Sequence, residues 1–338
     1  MTQPKKVRWG VLGVASIAVR RAIPGMQKGE WCEISAIASR DKYRAEDAAS
    51  KLGIAKPYGS YEALLADPEI DAIYNPLPNH LHVPWSIKAA EAGKHVLCEK
   101  PISLTAAEAR TLLAVRDRIR VKIGEAFMVR THPRWLRVRE LVRSGRIGQL
   151  RLVAGLFGYF NRDPANPRNI LEAGGGALLD IGCYPITLSR FLYGEEPTRV
   201  FAEIERDPET RTDILTSAIL EFPTGRCTFT CSTQIAYVQT MHLLGAEGRI
   251  QIQLPLNPPS DRPSEIIIGD LKGPSPSGTE VESIPCVDQF TLQADLFSRA
   301  IRENTEVPVP PEDSVKNMAV IDAVFRSAEI REWVHPAD

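Results

Sequence analysis

From Val7 to about residue 122, short apolar runs alternate with longer amphipathic ones. Val7–Leu12, Glu33–Ser39, Ala72–Asn75, His95–Glu99 and Val121–Phe127 predict strands. Several are apolar at nearly every position, as strands buried on both faces of a parallel sheet must be. Between them, Ser16–Met26, Lys42–Leu52, Val83–Ala92 and Ala106–Asp117 carry the Ala-rich periodicity of helices. Thr105 and Glu108 have the spacing of a capping box. Ser60 is placed to cap a short helix, Tyr61–Leu65, that Asp67-Pro68 closes.

Beyond residue 125 the rhythm changes. Helices are predicted over Pro133–Ser144 and Ala177–Leu192, each ended by a glycine. Leu150–Phe160, Thr198–Glu205, Asp213–Phe222, Cys227–Gln234 and Met241–Leu254 then read as strands punctuated by turns such as Pro223-Thr224-Gly225, the pattern of an antiparallel sheet. The Pro/Ser/Gly-rich stretches 255–264 and 271–279 read as surface loops. Asp288–Arg302 and Asp313–Glu332 read as two closing helices. The expected organisation is α/β: a parallel sheet with helices over residues 1–124, then an α+β domain with a large, mainly antiparallel, open-faced sheet over 125–338.

A chain of 338 residues exceeds what one hydrophobic core usually serves, which agrees with two domains. The formal net charge of -1 offers no electrostatic footprint for nucleic acid. No apolar run is long enough to span a bilayer, and Met1–Lys6 leads into Val7–Leu12 without the features of a signal peptide. A cytoplasmic location is therefore expected. Cys32, Cys98, Cys183, Cys227, Cys231 and Cys286 form no CxxC pair, so buried, reduced thiols are expected.

The first chemical signal follows the first strand. Gly13-Val14-Ala15-Ser16-Ile17-Ala18 places a tight turn and a helix start directly after Val7–Leu12. Backbone N–H groups at such a helix start favour a pyrophosphate. Gly13, Ala15, Ser16 and Ile17 are thus candidate cofactor contacts of a Rossmann-type domain, although alanine stands where the fingerprint has its second and third glycines. At the tip of the second strand, Ser39 and Arg40 occupy the place where an NAD-selective fold presents a carboxylate. A hydroxyl and a guanidinium there suit a 2′-phosphate, which points to NADP with NAD as the alternative.

Three further segments carry the reaction chemistry. These are Pro76-Leu77-Pro78-Asn79-His80-Leu81-His82 after the third predicted strand of this series, Ala92-Gly93-Lys94-His95-Val96-Leu97-Cys98-Glu99-Lys100-Pro101, and Gly174-Gly175-Gly176-Ala177-Leu178-Leu179-Asp180-Ile181-Gly182-Cys183-Tyr184-Pro185. Lys100 lies at the carboxyl end of a strand, where open α/β sheets place their chemistry. Asp180 and Tyr184 are spaced to share one helix face. With these motifs, Gly124-Glu125-Ala126-Phe127-Met128 and the Gly245-Ala246-Glu247-Gly248 turn, the chain resembles the glucose–fructose oxidoreductase, inositol dehydrogenase and rhizopine catabolism (Gfo/Idh/MocA) family over essentially its whole length.

That resemblance implies NAD(P)-dependent hydride transfer to or from a sugar, polyol or vicinal diol. It makes Lys100 the residue that holds the reacting oxygen and the nicotinamide ribose, with a frequently cis bond to Pro101, and Tyr184 the acid/base. Tyrosine rather than histidine there is similar to the glucose–fructose oxidoreductase and dihydrodiol dehydrogenase branches. Arg168 is implied at both cofactor and substrate. Pro76, Leu77, Asn79, His82 and Glu99 are implied near the cofactor, and a homodimer or homotetramer is implied through the open sheet face. Substrate contacts then fall to Lys100, Arg168, Asp180 and Tyr184. Chemically, a carbinol that loses hydride must also lose its hydroxyl proton. A free phenol, with a pKa of about 10, needs a cation such as Lys100 beside it to take that proton near neutrality, with Asp180 expected to orient the lysine or the substrate hydroxyls.

Two other functions are compatible with this resemblance: a catalytically silent NADP or sugar sensor, and an NAD-dependent glycoside-cleaving enzyme. Retention of Lys100, Asp180 and Tyr184 together favours the dehydrogenase or reductase. His80, His82 and His95 lack a completing carboxylate or cysteine, so no metal site is expected. His132 reads as a pocket residue or a helix cap, Trp9 and Trp135 as core or pocket wall. Arg134, Arg137, Arg139 and Arg143 read as a solvated helix face.

Overall fold

The computed structural model describes residues 5–270 and 279–337. The expected loop over 271–279 lies outside the described residues except for Thr279. Two compact units are present, one of Met1–Thr131 with Asp288–Val315, the other of His132–Val287 with Lys316–Asp338. The sequence reading placed one boundary, after residue 124; the units divide after Thr131, and the segment 288–315 returns to the first of them.

In the first unit, β1 (Val7–Leu12), β2 (Cys32–Ala38), β3 (Lys56–Tyr58), β4 (Ala72–Asn75), β5 (His95–Cys98) and β6 (Ile123–Glu125) form a parallel sheet in the order β3-β2-β1-β4-β5-β6. This is the order of a dinucleotide-binding sheet, whose direction of winding reverses between β1 and β4. The chain passes to the helical layers through α1 (Ile23–Met26), α2 (Lys42–Leu52), α3 (Tyr61–Leu65), α4 (His82–Glu91) and α5 (Ala106–Ile119). Caps fix their starts. Asp41 accepts from the N–H of Tyr43 (3.0 Å), Ser60 from Ala63 (3.1 Å) and Thr105 from Glu108 (3.2 Å). The Glu108 carboxylate closes the Thr105 cap one residue earlier than the standard box, on the Leu104 N–H (3.0 Å). The short edge strand β3 was not expected; its three residues are too few to show a period.

In the second unit, α6 (Pro133–Arg143) precedes β7 (Leu150–Phe160), and α7 (Cys183–Tyr193) precedes β8 (Arg199–Arg206), β9 (Asp213–Glu221), β10 (Arg226–Ser232), β11 (Gln234–Gly245), β12 (Gly248–Gln253), β13 (Ser264–Asp270) and β14 (Thr279–Ile284). The sheet order is β14-β13-β12-β11-β7-β10-β9-β8, antiparallel except for β7 with β10. β13 and β14 were missed because Pro-rich and Gly-rich flanks masked short strands. Odd positions of β7 such as Val153 and Phe157 are buried. Even positions turn to the other face with Thr228, Thr230, Thr240 and His242 of neighbouring strands. The two last helices are α8 (Gln289–Glu303) and α9 (Pro311–Ile330). Trp9 reaches α8, its indole N–H donating to Ser298 Oγ (3.0 Å) and its ring 5.6 Å from that of Phe297.

Several expectations need correction. Arg134 is not on a solvated face: it is buried and donates to the carbonyls of Gln253 (3.0 Å) and Leu254 (2.7 Å). Arg137 pairs with Glu282 (2.8 Å), and Arg139 lies over the Phe191 ring. Cys286 is exposed, whereas the other five thiols are buried. His132 caps α6 through Nδ1, which accepts from the Arg134 N–H (3.1 Å), and Trp135 is core. Among the described residues, no helix is long and apolar enough to cross a membrane.

Burial pulls two histidines, His95 and His132, whose Nδ1 atoms accept backbone N–H groups, down to about 4 from an ordinary 6.5. The unfolded chain protonates them first. Their stabilising contribution is therefore complete above pH 6.5 and is lost as pH falls towards 4, at about 1.4 kcal/mol per pH unit for each ring. Asp213, pushed up to about 6 by burial, works in the opposite sense between its ordinary 3.8 and 6 and offsets roughly one of the two. The melting temperature should accordingly drop between pH 6.5 and 4.5. In His95→Asn, whose amide oxygen can replace Nδ1 as acceptor for the Lys122 N–H (2.9 Å), the drop should be shallower. A flat profile in the parent protein would contradict this.

Candidate active site

In the first unit the candidate residues gather at the carboxyl ends of the parallel strands. Gly13 follows β1 with φ +81°. A Cβ there would lie 2.9 Å from Leu77 Cδ2 and 3.5 Å from the Tyr61 hydroxyl oxygen. The turns after β1 and β4 therefore meet where the winding reverses, and the approach is too close for a side chain. After this turn, Ala15 is half-buried and Ser16 and Ile17 are exposed at the opening of a helix that passes through a π-helical turn, Ala18–Ala22, into α1. Ser39 is buried at the tip of β2, its N–H donating to the Tyr58 carbonyl (3.0 Å). Arg40 beside it is exposed, with its guanidinium next to the Tyr61 phenol. A left-handed glycine, open helix N–H groups and a neighbouring hydroxyl and guanidinium fit a dinucleotide carrying a 2′-phosphate.

The turn bearing Lys100 is braced from three sides. Glu99 accepts from the Tyr74 hydroxyl (2.6 Å) and from the Lys100 N–H (3.3 Å). Glu125 accepts from the Ile102 N–H (2.8 Å). His82 is fully buried, with Nδ1 2.7 Å from the Pro101 carbonyl and Nε2 2.6 Å from the Leu77 carbonyl. The resemblance put His82 near the cofactor; the structure makes its ring a strut between the turns after β4 and β5. Asn75 ties the same region together, donating to the His82 carbonyl (3.0 Å) and Ser86 Oγ (3.2 Å). Pro76 and Leu77 are buried and Asn79 half-buried in this turn, Lys100 is half-buried, and the Lys100-Pro101 bond is cis. Tyr74 and Glu125 were not recognised as functional, although Glu125 lies within a segment that carried the resemblance.

In the second unit, the three glycines before α7 each answer a separate constraint. Gly174 has φ +77°. A Cβ on Gly175 would lie 2.5 Å from the Arg168 carbonyl oxygen, and one on Gly176, at φ +121°, 1.9 Å from Asp213 Oδ1. Asp213 Oδ2 accepts from the Leu178 N–H (2.6 Å) and the Thr216 hydroxyl (3.0 Å), so a carboxyl anchors the start of this helix. The first turn, Leu178–Gly182, is π-helical and holds Asp180; Tyr184 follows in α7 and is buried. The simple α-helical spacing assumed for Asp180 and Tyr184 is thus interrupted. Such π-turns recur at functional sites.

Asp180 Oδ1 pairs with Arg168 Nε (2.9 Å), and Asp180 Oδ2 accepts from the Tyr159 hydroxyl (2.6 Å). The Asp180 carboxylate holds the Arg168 guanidinium well above its usual range, with smaller contributions from the Tyr159 and Tyr184 phenols. The structure therefore joins Arg168 to Asp180 by an ion pair and places Tyr184 about one helical turn further along the same segment. Tyr159 was missed: in β7 it is one aromatic among several, and its only sequence signal is a place among the inward, odd positions.

The chain belongs to the GFO/IDH/MocA oxidoreductase family. Residues 7–127 match its oxidoreductase-family, NAD-binding Rossmann fold, and residues 135–251 match its GFO/IDH/MocA C-terminal domain. An uncharacterized oxidoreductase of Rhizobium meliloti is 45% identical over 97% of this chain and 98% of its own. A D-xylose 1-dehydrogenase (NADP(+)) of Haloferax volcanii is 36% identical over 95% and 97%. Among solved structures, a 3-ketoreductase from Actinomadura kijaniata in complex with NADP and TDP-benzene is 31% identical, covers 96% of this chain and 98% of its own, and has a TM-score of 0.89. That protein has also been solved with a tyrosine replaced by phenylalanine and with a lysine replaced by alanine.

Proposed function

We propose that this protein is an NADP-dependent oxidoreductase acting on a sugar, polyol or vicinal diol, or on the corresponding carbonyl compound. The observation that carries the reading is that each unit holds one half of the required chemistry: a cofactor turn of Gly13, Ser39 and Arg40 in the first, and the ion pair of Asp180 with Arg168, near Tyr184 in sequence, in the second. Relatives named as a D-xylose 1-dehydrogenase (NADP(+)) and a dTDP-3,4-didehydro-2,6-dideoxy-alpha-D-glucose 3-reductase, and a 3-ketoreductase solved with NADP, support the substrate class and the cofactor. The tyrosine and lysine replaced in the 3-ketoreductase are separated by the same number of residues as Lys100 and Tyr184.

Bound nicotinamide supplies the hydride acceptor or donor. The N–H groups at Ala15, Ser16 and Ile17 would hold the pyrophosphate of the dinucleotide, and Ser39 and Arg40 its 2′-phosphate. Pro76, Leu77, Asn79 and Glu99 shape the crevice at the ends of β4 and β5, with His82 supporting it from beneath. Lys100 would donate to the reacting oxygen and to the ribose of the bound nicotinamide. Tyr184 takes the hydroxyl proton in oxidation and returns it in reduction. A cation beside a phenol favours the phenolate, and Arg168 provides one in the same unit. Arg168 and Asp180 orient the substrate hydroxyls. The open face of the eight-stranded sheet, with Leu156, Phe160 and Leu244 exposed, serves a homodimer or homotetramer, and the protein works in the cytoplasm.

A panel of aldoses, polyols, keto sugars and diols, assayed by nicotinamide absorbance with NAD and NADP, tests this function. Turnover of at least one member with a preference for NADP is expected; no turnover of any would count against it. Arg40→Ala should raise KM for NADP by about ten- to a hundredfold, the worth of a lost charge-assisted contact, with little change for NAD. Equal effects on both cofactors would remove Arg40 from the 2′-phosphate site.

A further inference from the structure

We infer that Tyr159 is a positioning residue of the reaction site, whose phenol fixes the Asp180 carboxylate from the side opposite Arg168. The inference rests on the reading of Asp180 as part of that site. Asp180 is held by groups from two directions in the chain: Tyr159 Oη donates to Oδ2 (2.6 Å) and Arg168 Nε to Oδ1 (2.9 Å). Tyr159 is half-buried and Arg168 exposed, and each is placed by its own element. Tyr159 shares the inward parity of β7 with the buried Val153 and Phe157, which turns its ring towards the layer containing the π-turn Leu178–Gly182. Beside it the β7–β11 register shifts between Gln234 and Val238. Bulges of this kind are frequent next to functional side chains.

Arg168 is fixed through its backbone. Its N–H donates to Asn166 Oδ1 (3.1 Å), and its carbonyl accepts from the Gly176 N–H (2.9 Å). The loop and the triple glycine therefore place the Arg168 backbone, and the ion pair to Asp180 directs its guanidinium. Two donors on one carboxylate favour its ionised form and restrict it to one rotamer. Burial and the neighbouring Asp180 charge push the Tyr159 phenol up, so that it remains a donor across the neutral range. Asp180 thus serves as a fixed acceptor that aims Arg168, and the exchange of the substrate proton falls to Tyr184.

The test uses the full-length protein with aspartate carboxyl carbons labelled with 13C, the Asp180 resonance being assigned by its loss in Asp180→Asn. In Tyr159→Phe, which keeps the ring and removes only the donor, Asp180 should titrate about one pH unit higher than in the parent. The acid limb of kcat/KM should move up with it. The kcat should fall about five- to tenfold at neutral pH with a smaller change in substrate KM, and the melting temperature should be nearly retained. An unchanged Asp180 titration together with an unmoved acid limb would overturn the inference. Normal turnover by Asp180→Asn would instead overturn the reading of the site, and the carboxyl titration of Tyr159→Phe would still judge the Tyr159 contact independently.

Discussion

Lys100→Met and Tyr184→Phe are each expected to lower kcat by a factor of about a hundred or more, with the folded state kept. Methionine preserves the length of the Lys100 side chain and removes its charge and donors. Phenylalanine preserves the buried Tyr184 ring and removes only the hydroxyl. A group that acts on the charge developing during reaction depresses kcat and kcat/KM together, whereas one that merely contributes to binding raises KM. Both variants should therefore show the former pattern, with cofactor affinity unchanged for Tyr184→Phe. Lys100 is half-buried at a turn held by Glu99, Glu125 and His82 through backbone contacts, so its head group can be removed while the turn survives. Steady-state kinetics beside thermal melts would decide the matter. Turnover near the parent rate in either folded variant would remove that residue from the mechanism.

The second large effect concerns stability. Gly176→Ala places a methyl group 1.9 Å from Asp213 Oδ1 on a backbone at φ +121°. Overpacking costs about 1–3 kcal/mol and a forbidden backbone region about 1–3 more, so a loss of about 3–5 kcal/mol is expected. Asp213 cannot step aside cheaply, since its other oxygen holds the Leu178 N–H at 2.6 Å and the Thr216 hydroxyl at 3.0 Å. The start of the helix carrying Asp180 and Tyr184 would shift with it, and activity should fall in parallel. Gly53→Ala is the control: φ is +66° in open space, with nothing within 4 Å of an added Cβ, and a cost of about 1 kcal/mol is expected. Urea unfolding of both variants measures the contrast. A Gly176→Ala protein as stable as Gly53→Ala would show that the glycine is not required by packing.

Much of this molecule is written in local pattern. The strands β1, β2, β4 and β5 were legible because runs apolar on both faces have few other places to go. The starts of α3 and α5 were legible because Ser60 and Thr105 act on N–H groups three residues away. Lys100, Asp180 and Tyr184 were legible because they lie in compact motifs, and Gly13 because a tight turn must follow β1. Met241–Leu254 was read as one strand; a turn at Ala246 and Glu247 divides it into β11 and β12, which pair with each other.

What the sequence by itself determined was the kind of chain this is: an α/β cofactor-binding half, a β-rich half, and the motifs carrying a lysine, a carboxylate and a phenol. Only the tertiary structure decided the partners of those groups. Tyr159 meets Asp180 across 21 residues, Asp213 caps Leu178 across 35, and Trp9 finds Ser298 across 289. A period or a cap acts within a turn or two of its own residues and leaves a mark in neighbouring letters. A hydrogen bond closed by the folding of distant segments depends on where the whole sheet carries each side chain, and no short stretch of sequence contains that position.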